Sequence, residues 1–343
     1  MNLNKNEALL ITSKPNVYHF SKIDAESGVF LLLTMRQKFV FANALFIKEA
    51  VKIAREFIPV ATDKNDINWW RDLLKKLKIK TIYFEPHNLS YARLIKFRKM
   101  SQGLARVAPS KIDLQALRSQ KNKQEFVCIK RAVRITEDIL KEINKIIRQK
   151  SKVSEFDIAL EIYKQALNRG CESLAFPPIV AFGRNTGIPH HYPSRFRRLK
   201  RGDMVLIDLG VKYKNFCADL TRIFFTAPPT SRQIEIYNKV LAVQSQSIKK
   251  IKSGVAASKL YDGACAGFGR LAPHFTHNLG HGVGLEIHEH PNLKQKSPDV
   301  LKSGQVLTIE PGLYFSWGGV RIEDMVVVNQ NNCEVLTKYS AFN

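Results

Sequence analysis

Cysteine is scarce in this sequence, and long apolar runs are absent. The 343 residues include five cysteines and no CxxC pair, which argues against a thiolate metal site and a disulfide framework. No apolar stretch approaches the roughly 20 residues of a membrane-spanning helix. The first 14 residues carry charges and lack an apolar core of secretory length. We therefore expect a cytoplasmic protein without a signal peptide or membrane segment.

Acidic residues are also few relative to basic ones. The chain has 30 Asp and Glu against 54 Lys and Arg, a formal net charge of +24, which is compatible with nucleic-acid binding. The excess is spread over both halves of the chain. The clusters at 75–80 and 195–201 are not interleaved with the series of stacking aromatics that a single-strand binder uses. A generally basic surface is the preferred interpretation, while contact with nucleic acid or an acidic partner stays open.

Length and patterning predict two domains, the first of them a small α/β domain. Two β-rich runs, Phe30–Thr34 and Lys38–Phe41, flank a polar turn and predict a hairpin. The domain is expected to end between 109 and 119. Its other predicted elements are helices at about 46–57, 67–78 and 90–99 and a strand at Thr81–Phe84.

The second region is predicted to be an α+β domain. Apolar periodicity indicates a long helix from about Gln124 to Arg148. Ser154 and Asp157 resemble a capping box for a helix at about 155–168. Short strands dominate after Gly170 up to about 227, two helices fill about 231–270, and strands then return.

Two aspartates interrupt apolar, strand-like sequence in this region. Val205–Gly210 contains Asp208, Phe216–Arg222 contains Asp219, and the polar residues 212–215 are turn-like. If these residues close a hairpin, the two aspartates lie directly opposite each other, about 5 Å apart. Like charges in that position are destabilising, so the pair requires a cation or a raised pKa.

A second pair of carboxylates occurs further along the chain. The segment Val306–Gly312 contains an apolar strand that ends in a carboxylate, Glu310, and the next strand contains Glu323. The connection at 312–318 should reverse the chain and bring the two glutamates together. Two such hairpins suggest an internally duplicated fold with a site between its halves. Asp324 should point to the opposite face of its strand and have a structural role.

A segment rich in histidine and glycine, 277–291, lies between the two hairpins. Glycines at 280, 282 and 284 allow the backbone to approach closely around His281. Four carboxylates and one imidazole suit a pair of divalent ions such as Mn²⁺, Co²⁺, Fe²⁺ or Zn²⁺. Paired metals fit hydrolysis, because a bridging hydroxide is a nucleophile. A lone strand aspartate or a lone histidine is more often structural, and the prediction rests on the full set: Asp208, Asp219, His281, Glu310 and Glu323.

At these residues the sequence resembles the pita-bread metallopeptidases, the superfamily of methionine aminopeptidase, prolidase and aminopeptidase P. The resemblance rests on the Asp-to-Asp spacing, Gly-His-Gly-x-Gly, a histidine seven residues later, Thr-Ile-Glu-Pro-Gly and Arg-Ile-Glu, in that order. It implies an α+β pita-bread catalytic domain with an internal pseudo-twofold duplication over 122–343. A smaller α/β, creatinase-like N-terminal domain over 1–118 would precede it.

The resemblance also implies how the metal ligands divide their work. Asp208 would chelate one ion, and Asp219 and Glu323 would bridge both. His281 and Glu310 would complete the second ion. The neighbouring Glu286, Glu289 and His290 are expected to be loop or supporting residues rather than ligands.

Further roles follow from the same resemblance. Glu310 would move a proton from the bridging water, and His288 would steady the scissile carbonyl or the intermediate. His190 corresponds to an active-site histidine near the leaving nitrogen, whereas His191 is expected to face elsewhere. His277 and Arg321 resemble substrate-binding residues of the proline-specific branch and, with the N-terminal domain, argue against methionine aminopeptidase.

The implied activity is that of an Xaa-Pro dipeptidase (prolidase) or a small bacterial Xaa-Pro aminopeptidase. Its substrate would be a peptide with proline at the second position, cleaved by attack of metal-bridging hydroxide with two divalent ions, Mn²⁺ favoured. Similar proteins are commonly homodimers. The alternative is a non-catalytic relative that binds RNA or an acidic protein through its basic surface. Such relatives, and the metal-free creatinase, have typically lost ligands that are all present here.

Overall fold

The computed structural model describes residues 3–25, 28–63, 66–149 and 152–340. The chain divides into two compact units, Met1–Leu117 and Arg118–Asn343. Each unit contains its own buried apolar clusters. Within the described ranges, no helix combines the length and apolar character that crossing a bilayer requires.

The first unit is built on a six-stranded mixed sheet with short helices. Its elements are β1 (Glu7–Ile11), α1 (Lys14–Ser21), β2 (Val29–Thr34), β3 (Lys38–Ala42), α2 (Ile47–Ile53), β4 (Ile58–Ala61), α3 (Asn68–Lys76), β5 (Thr81–Phe84), α4 (Tyr91–Ser101), β6 (Arg106–Pro109) and α5 (Leu114–Ser119), which crosses into the second unit. The strand order is β4-β3-β2-β1-β5-β6. β2 pairs antiparallel with β1 and β3, and the remaining neighbours are parallel.

Both faces of this sheet are covered. Leu31 and Leu33 of β2 belong to one buried cluster, and Leu32 belongs to another. Because successive strand residues point to opposite faces, a strand covered on both sides needs a continuous apolar run. The predicted hairpin is confirmed as β2 and β3, and β5 has the predicted limits. Sequence reasoning missed β1 and α1, since four apolar residues and a short helix give little periodicity.

The second unit alternates helix pairs with antiparallel strands. Its elements are α6 (Lys123–Gln149), α7 (Glu155–Asn168), β7 (Ser173–Leu174), β8 (Ile179–Phe182), a 3₁₀ turn (Gly183–Gly187), β9 (Met204–Leu209), β10 (Val211–Tyr213), β11 (Phe216–Cys217), β12 (Leu220–Phe225), α8 (Ser231–Lys249), α9 (Ala257–Phe268), a second 3₁₀ turn (Gly269–His274), β13 (Gly280–Gly282), β14 (Glu289–Leu293), β15 (Val306–Ile309), β16 (Gly312–Phe315), β17 (Gly318–Arg321), β18 (Asp324–Val328) and β19 (Cys333–Val335). The predicted capping box is present: Ser154 Oγ accepts from Asp157 N at 3.1 Å, and Asp157 Oδ2 accepts from Ser154 N at 2.8 Å.

The strands of this unit form separate small sheets. Their orders are β11-β10-β7, β12-β9-β8, β14-β13-β15-β18-β19 and β16-β17. Residues of α8 and α9 share one buried cluster with residues of β9, β12, β15 and β18. In chain order, α6 and α7 precede one group of strands, and α8 and α9 precede the other. The helix–helix–sheet sequence therefore occurs twice.

The register of the first carboxylate hairpin differs from the predicted one. β9 pairs with β12 so that Asp208 lies opposite Thr221, not opposite Asp219. The cause is the turn, because Lys214 (φ 47°) and Asn215 (φ 67°) are its two central residues. Two positive φ values are what a type I′ hairpin turn requires. Asp219 precedes Thr221 by two residues and lines the same cavity as Asp208, as the alternation of side chains along a strand requires.

The second carboxylate hairpin has the predicted arrangement. The pairings of β15 with β18 and of β16 with β17 share one register. That register places Glu310, between β15 and β16, opposite Glu323, between β17 and β18. The Pro311 carbonyl accepts a hydrogen bond from Ile322 N at 3.4 Å across this junction, so the two strands stay together where the glutamates lie.

Candidate metal centre

All nine residues predicted for the site line one cavity of about 520 Å³ in the second unit. The carboxylates lie at strand ends, where β9, β12, β15 and β18 converge, and His281 lies in the middle of β13. Apolar strands thus deliver polar side chains to a common interior point. These nine residues are His190, Asp208, Asp219, His277, His281, His288, Glu310, Arg321 and Glu323.

The five proposed ligands are close together and shielded from water. Ligand atoms of Asp219, His281 and Glu323 all lie within 4.8 Å of one another. His281 Nε2 is 3.6 Å from Asp219 Oδ2 and 3.4 Å from Glu310 Oε1. Glu323 is 1% exposed. Among the described residues, neither Asp208 Oδ1 nor Glu323 Oε1 has a hydrogen-bond partner. Buried carboxylate oxygens without partners are rare, so each one needs an explanation.

The pKa values express the same imbalance of charge. Burial, and then the charges of Glu323 and Asp208, raise the pKa of Asp219 well above its usual range. Burial raises the pKa of Glu310 to about 8, and burial with the charge of Glu310 raises the pKa of Glu323. Carboxylates confined this closely cannot all ionise unless a cation compensates them. The donor set therefore fits a site for divalent cations.

His281 is prepared to act as a ligand. Its Nδ1 lies 3.1 Å from the Gly282 carbonyl oxygen, so Nδ1 carries the proton and donates it there. Burial and then the neighbouring His288 lower the pKa of His281 to about 3, which keeps the ring neutral. The lone pair of Nε2 is consequently directed toward the carboxylates, and this is the form in which histidine binds metals.

Arg321 orients two of the carboxylates. Its Nη2 donates to Asp208 Oδ2 at 2.7 Å, and its Nε donates to Thr221 Oγ1 at 3.1 Å. The Thr221 hydroxyl in turn donates to Glu323 Oε2 at 2.8 Å. One oxygen of each carboxylate is thereby held, and the other is the unpartnered oxygen noted above. Arg321 is 3% exposed, and its donors point at protein groups.

A hydrogen-bonded chain leads from this guanidinium to His277. Arg321 Nη1 donates to the Tyr314 hydroxyl at 2.7 Å, and that hydroxyl lies 2.8 Å from His277 Nε2. His277 Nδ1 is 2.8 Å from the Asn278 carbonyl oxygen and must donate to it. The Tyr314 hydroxyl therefore donates to Nε2. Burial and then Arg321 lower the pKa of His277 to about 3, which agrees with this neutral tautomer.

Two further histidines complete the predicted site. His288 stands edge-on to His281, with ring centroids 4.3 Å apart. His190 lines the cavity, and so does His191, so the expectation that His191 faces elsewhere is wrong. The His191 ring is held at the cavity wall by Glu155, with Nε2 2.8 Å from Oε2. Glu155 is fully buried and also accepts from backbone and side-chain donors at 182, 185 and 194.

Residues expected to have supporting roles lie outside the cavity lining. Asp324 accepts hydrogen bonds from Arg222, Gln244 and Thr337. Glu289 is paired with cations, and the Nδ1 of His290 lies 3.1 Å from Asp299. Sequence reasoning missed Tyr314 and Glu155, which no motif marked.

The chain matches two family models. Residues 127–330 match metallopeptidase family M24, and residues 1–120 match the creatinase/prolidase N-terminal domain. The chain therefore belongs to metallopeptidase family M24 and carries the N-terminal domain of creatinases and prolidases. The predicted fold class, the superfamily and the assignment as an enzyme are confirmed. Membership of this family implies divalent metal ions.

Similar proteins cover nearly the whole chain. The Xaa-Pro dipeptidase of Pyrococcus horikoshii is 33% identical over an alignment 347 residues long, which covers 98% of this chain and 94% of that protein. The Xaa-Pro dipeptidase structure from Bacillus anthracis aligns with a TM-score of 0.92 at 29% identity, covering 97% of this chain and 93% of the other. Prolidase from Pyrococcus furiosus aligns with a TM-score of 0.87 at 32% identity, with 97% and 96% covered. These similarities do not favour the non-catalytic alternative.

Proposed function

We propose that this protein is a dinuclear-metal exopeptidase that hydrolyses the bond between an N-terminal residue and proline. The observation that carries this proposal is the buried convergence of four carboxylates with His281, in which one oxygen each of Asp208 and Glu323 has no hydrogen-bond partner among the described residues. The Xaa-Pro dipeptidases and the prolidase to which the chain is similar support the choice of bond.

The proposed ligands of two divalent ions are Asp208, Asp219, His281, Glu310 and Glu323. Asp208 would chelate one ion, Asp219 and Glu323 would bridge, and His281 and Glu310 would complete the second. An oxygen-rich set with one imidazole suits Mn²⁺, which we favour, and also Co²⁺, Fe²⁺ or Zn²⁺. Such a pair, when bound, supplies an activated water and polarises the scissile carbonyl.

Glu310 is proposed to move the proton. The prolyl nitrogen of the scissile amide has no hydrogen and leaves as an amine only after it has been protonated. Glu310 lies beside His281 in a shielded position, where its carboxylate can take a proton from the attacking water. It would then deliver that proton to the leaving nitrogen.

The remaining residues would bind and orient the peptide. His288, which lies against His281, is proposed to steady the carbonyl oxygen, and His190 to approach the leaving nitrogen. His277 and Arg321 are proposed as substrate-binding residues. Because Arg321 Nη1 also donates to the Pro189 carbonyl at 3.1 Å, it would act on the substrate partly by fixing the segment that carries His190.

The wider organisation is proposed on the same basis. We propose domain limits of 1–118 and 122–343, and the family matches over 1–120 and 127–330 support this division. We propose a homodimer, as the family resemblance of the sequence implies, and a cytoplasmic location because cysteines are few and form no CxxC pair. The proposed substrate is a peptide with proline at the second position.

The test is an assay of X-Pro dipeptides and X-Pro-Z tripeptides with added Mn²⁺, Co²⁺ or Zn²⁺, with X-Ala peptides as matched controls. We expect metal-dependent release of X from the proline peptides only, and comparison of the two lengths distinguishes dipeptidase from aminopeptidase. Full activity after chelation and in Asp219→Ala would refute the proposal. Salt-dependent RNA binding without peptidase activity under any metal would favour the binding-protein alternative.

A further inference from the structure

A second group of buried charges lies in the second unit, outside the cavity lining. Arg118 Nε donates to Glu289 Oε2 at 3.0 Å, and its Nη2 donates to Glu286 Oε2. Lys121 Nζ donates to Glu289 Oε1. The Arg118, Lys121 and Glu289 side chains are 2%, 1% and 0% exposed. We call these four residues the ionic cluster. The proposed reaction uses none of their charges.

Stability alone does not account for the ionic cluster. Removing the ammonium group of Lys121 from water is unfavourable, and this burial lowers its pKa. Replacing a buried ion pair by apolar side chains is often neutral or stabilising. What an ion pair adds is direction, because each donor must point at its acceptor. The ionic cluster is therefore suited to fixing the position of the backbone that carries it.

The backbone that it fixes includes His288. Glu286 and Glu289 bracket Ile287 and His288, which both line the metal-centre cavity. Glu289 is also paired with Gly282 across β13 and β14. The residue immediately after His288 is thus held both by its backbone and by its side chain.

The last glycine of Gly-His-Gly-x-Gly independently supports this arrangement. A side-chain carbon on Gly284 would overlap with Glu289 Oε1 and with Lys121 Cε. The glycine therefore makes room for the ion pair of the cluster rather than for a ligand of the metal centre. A motif that first suggested metal chemistry is partly explained by the ionic cluster.

The cations belong to the segment that opens the second unit. Lys121 N donates to the Gly304 carbonyl at 2.8 Å, and Gln120 forms a bridge with Gln305. Gln305 directly precedes β15, which leads to Glu310. The same short segment is thus bonded to the strand of one proposed ligand and, through the ionic cluster, to the loop of His288.

We propose that Glu289, held by Arg118 and Lys121, is a positioning residue that sets the orientation of the His288 ring over the metal centre. This inference rests on the proposed function for the role of His288 but not for the geometry. It gives the segment 118–121 a part in the reaction although none of its side chains lines the cavity. Displacement of a reacting group by about 1 Å can lower a rate by about 100-fold.

The test is a mutant cycle between Glu289→Gln and His288→Ala in the metal-loaded protein. We expect Glu289→Gln to lower kcat/KM on an X-Pro dipeptide by about 10- to 100-fold, mainly through kcat, with metal content retained. In the His288→Ala background the same change should have less than about a 2-fold effect, since the group that it positions is gone. Glu137→Gln is the matched control, because Glu137 is a buried carboxylate that accepts backbone hydrogen bonds at 338 and 339.

A readout without catalysis separates this inference from the proposed function. With ¹³C-labelled histidine, the His288 signal, assigned by its loss in His288→Ala, should shift or broaden in Glu289→Gln and stay unchanged in Glu137→Gln. That result supports the inference even if no X-Pro peptide is cleaved. If Glu289→Gln does not fold, Glu286→Gln takes its place, because Glu286 is the partly exposed residue of the ionic cluster. We expect it to give a smaller shift of the His288 signal. An unmoved His288 signal, or an equal loss of kcat/KM in both backgrounds, would overturn the inference.

Discussion

The metal centre and the ionic cluster are both buried in the second unit, but their charges are balanced differently. In the ionic cluster each oxygen of Glu289 receives a cationic donor. In the metal centre four carboxylates share the guanidinium of Arg321, and Asp208 Oδ1 and Glu323 Oε1 have no described partner. Balanced buried charges fix a structure, whereas an excess of one sign indicates a ligand of the opposite sign.

The largest effect should come from removing a proposed bridging ligand. Asp219→Ala or Glu323→Ala is expected to lose bound metal and to lower kcat/KM by about 1000-fold or more, equivalent to ~4 kcal/mol of transition-state stabilisation. Metal content by mass spectrometry and steady-state kinetics measure both effects. Glu289→Gln, from the balanced cluster, should keep its metal. If either alanine variant retained a full metal complement, the proposed difference between the metal centre and the ionic cluster would be wrong.

Metal removal should make stability depend on pH in a defined direction. Burial raises the pKa of Glu310 to about 8 in the metal-free protein, above about 4.3 in an unfolded chain. The folded state then binds the proton more tightly, so this stabilisation is present below about pH 4.3 and is lost as pH rises through about 8. Bound metal removes this loss, since it replaces the protons.

Thermal unfolding from pH 4 to pH 8.5 tests this expectation. The difference in Tm between metal-loaded and chelated protein should widen as pH rises, and Glu310→Gln should reduce the slope of the chelated protein. With metal at 100 times its Kd, the stabilisation should be about 2.7 kcal/mol. Parallel curves for loaded and chelated protein would contradict a centre of excess negative charge.

A smaller effect is expected at the guanidinium of the metal centre. Arg321→Lys should weaken metal binding by about 10- to 100-fold, because an ammonium group cannot reach Asp208 and Thr221 together as the planar fork does. The equivalent change in the ionic cluster, Arg118→Lys, should leave metal affinity unaltered. Titration calorimetry on both variants gives the comparison, and equal affinities in the two would argue against an orienting role for Arg321.

The smallest effect should follow from Tyr314→Phe. It removes the hydroxyl between Arg321 and His277, a loss of about 1 kcal/mol of hydrogen bonding, and should lower kcat/KM by about 5-fold with metal retained. Tyr83→Phe in the first unit, which removes a hydroxyl that donates to Glu7, is the control. Metal loss in Tyr314→Phe would place the hydroxyl among the groups that support the ligands instead.

The convergence of the proposed metal ligands on one cavity is predictable from sequence, because carboxylates inside apolar strands are energetically unfavourable without a compensating partner. The sequence around Tyr314 and Glu155 shows no comparable signal. A tyrosine within a strand and a glutamate in the first turn of a helix are both ordinary. Their histidine partners, His277 and His191, are 37 and 36 residues away in sequence, so the fold alone brings these pairs together.

The errors in the fold also have local causes. The predicted register of the first hairpin is wrong because Lys214 and Asn215 lack the glycine that usually indicates a type I′ turn. The sequence pattern does not predict β1, because the four apolar residues Ala8–Ile11 do not distinguish a strand from a helix. Patterns that span many residues, such as α6 with its buried face, were predicted within a residue or two.

The Lys214–Asn215 turn sets the register of the strands that carry Asp208 and Asp219 into the interior. Glu172 accepts hydrogen bonds from both of its amides, at 2.8 and 3.0 Å. Adding one residue at this corner would slip the strand by one position and send Thr221 to the opposite face. The relative position of Asp208 and Asp219 therefore depends on an exposed turn. Variants that change the length of this turn should alter the arrangement of the proposed metal ligands without substituting any of them.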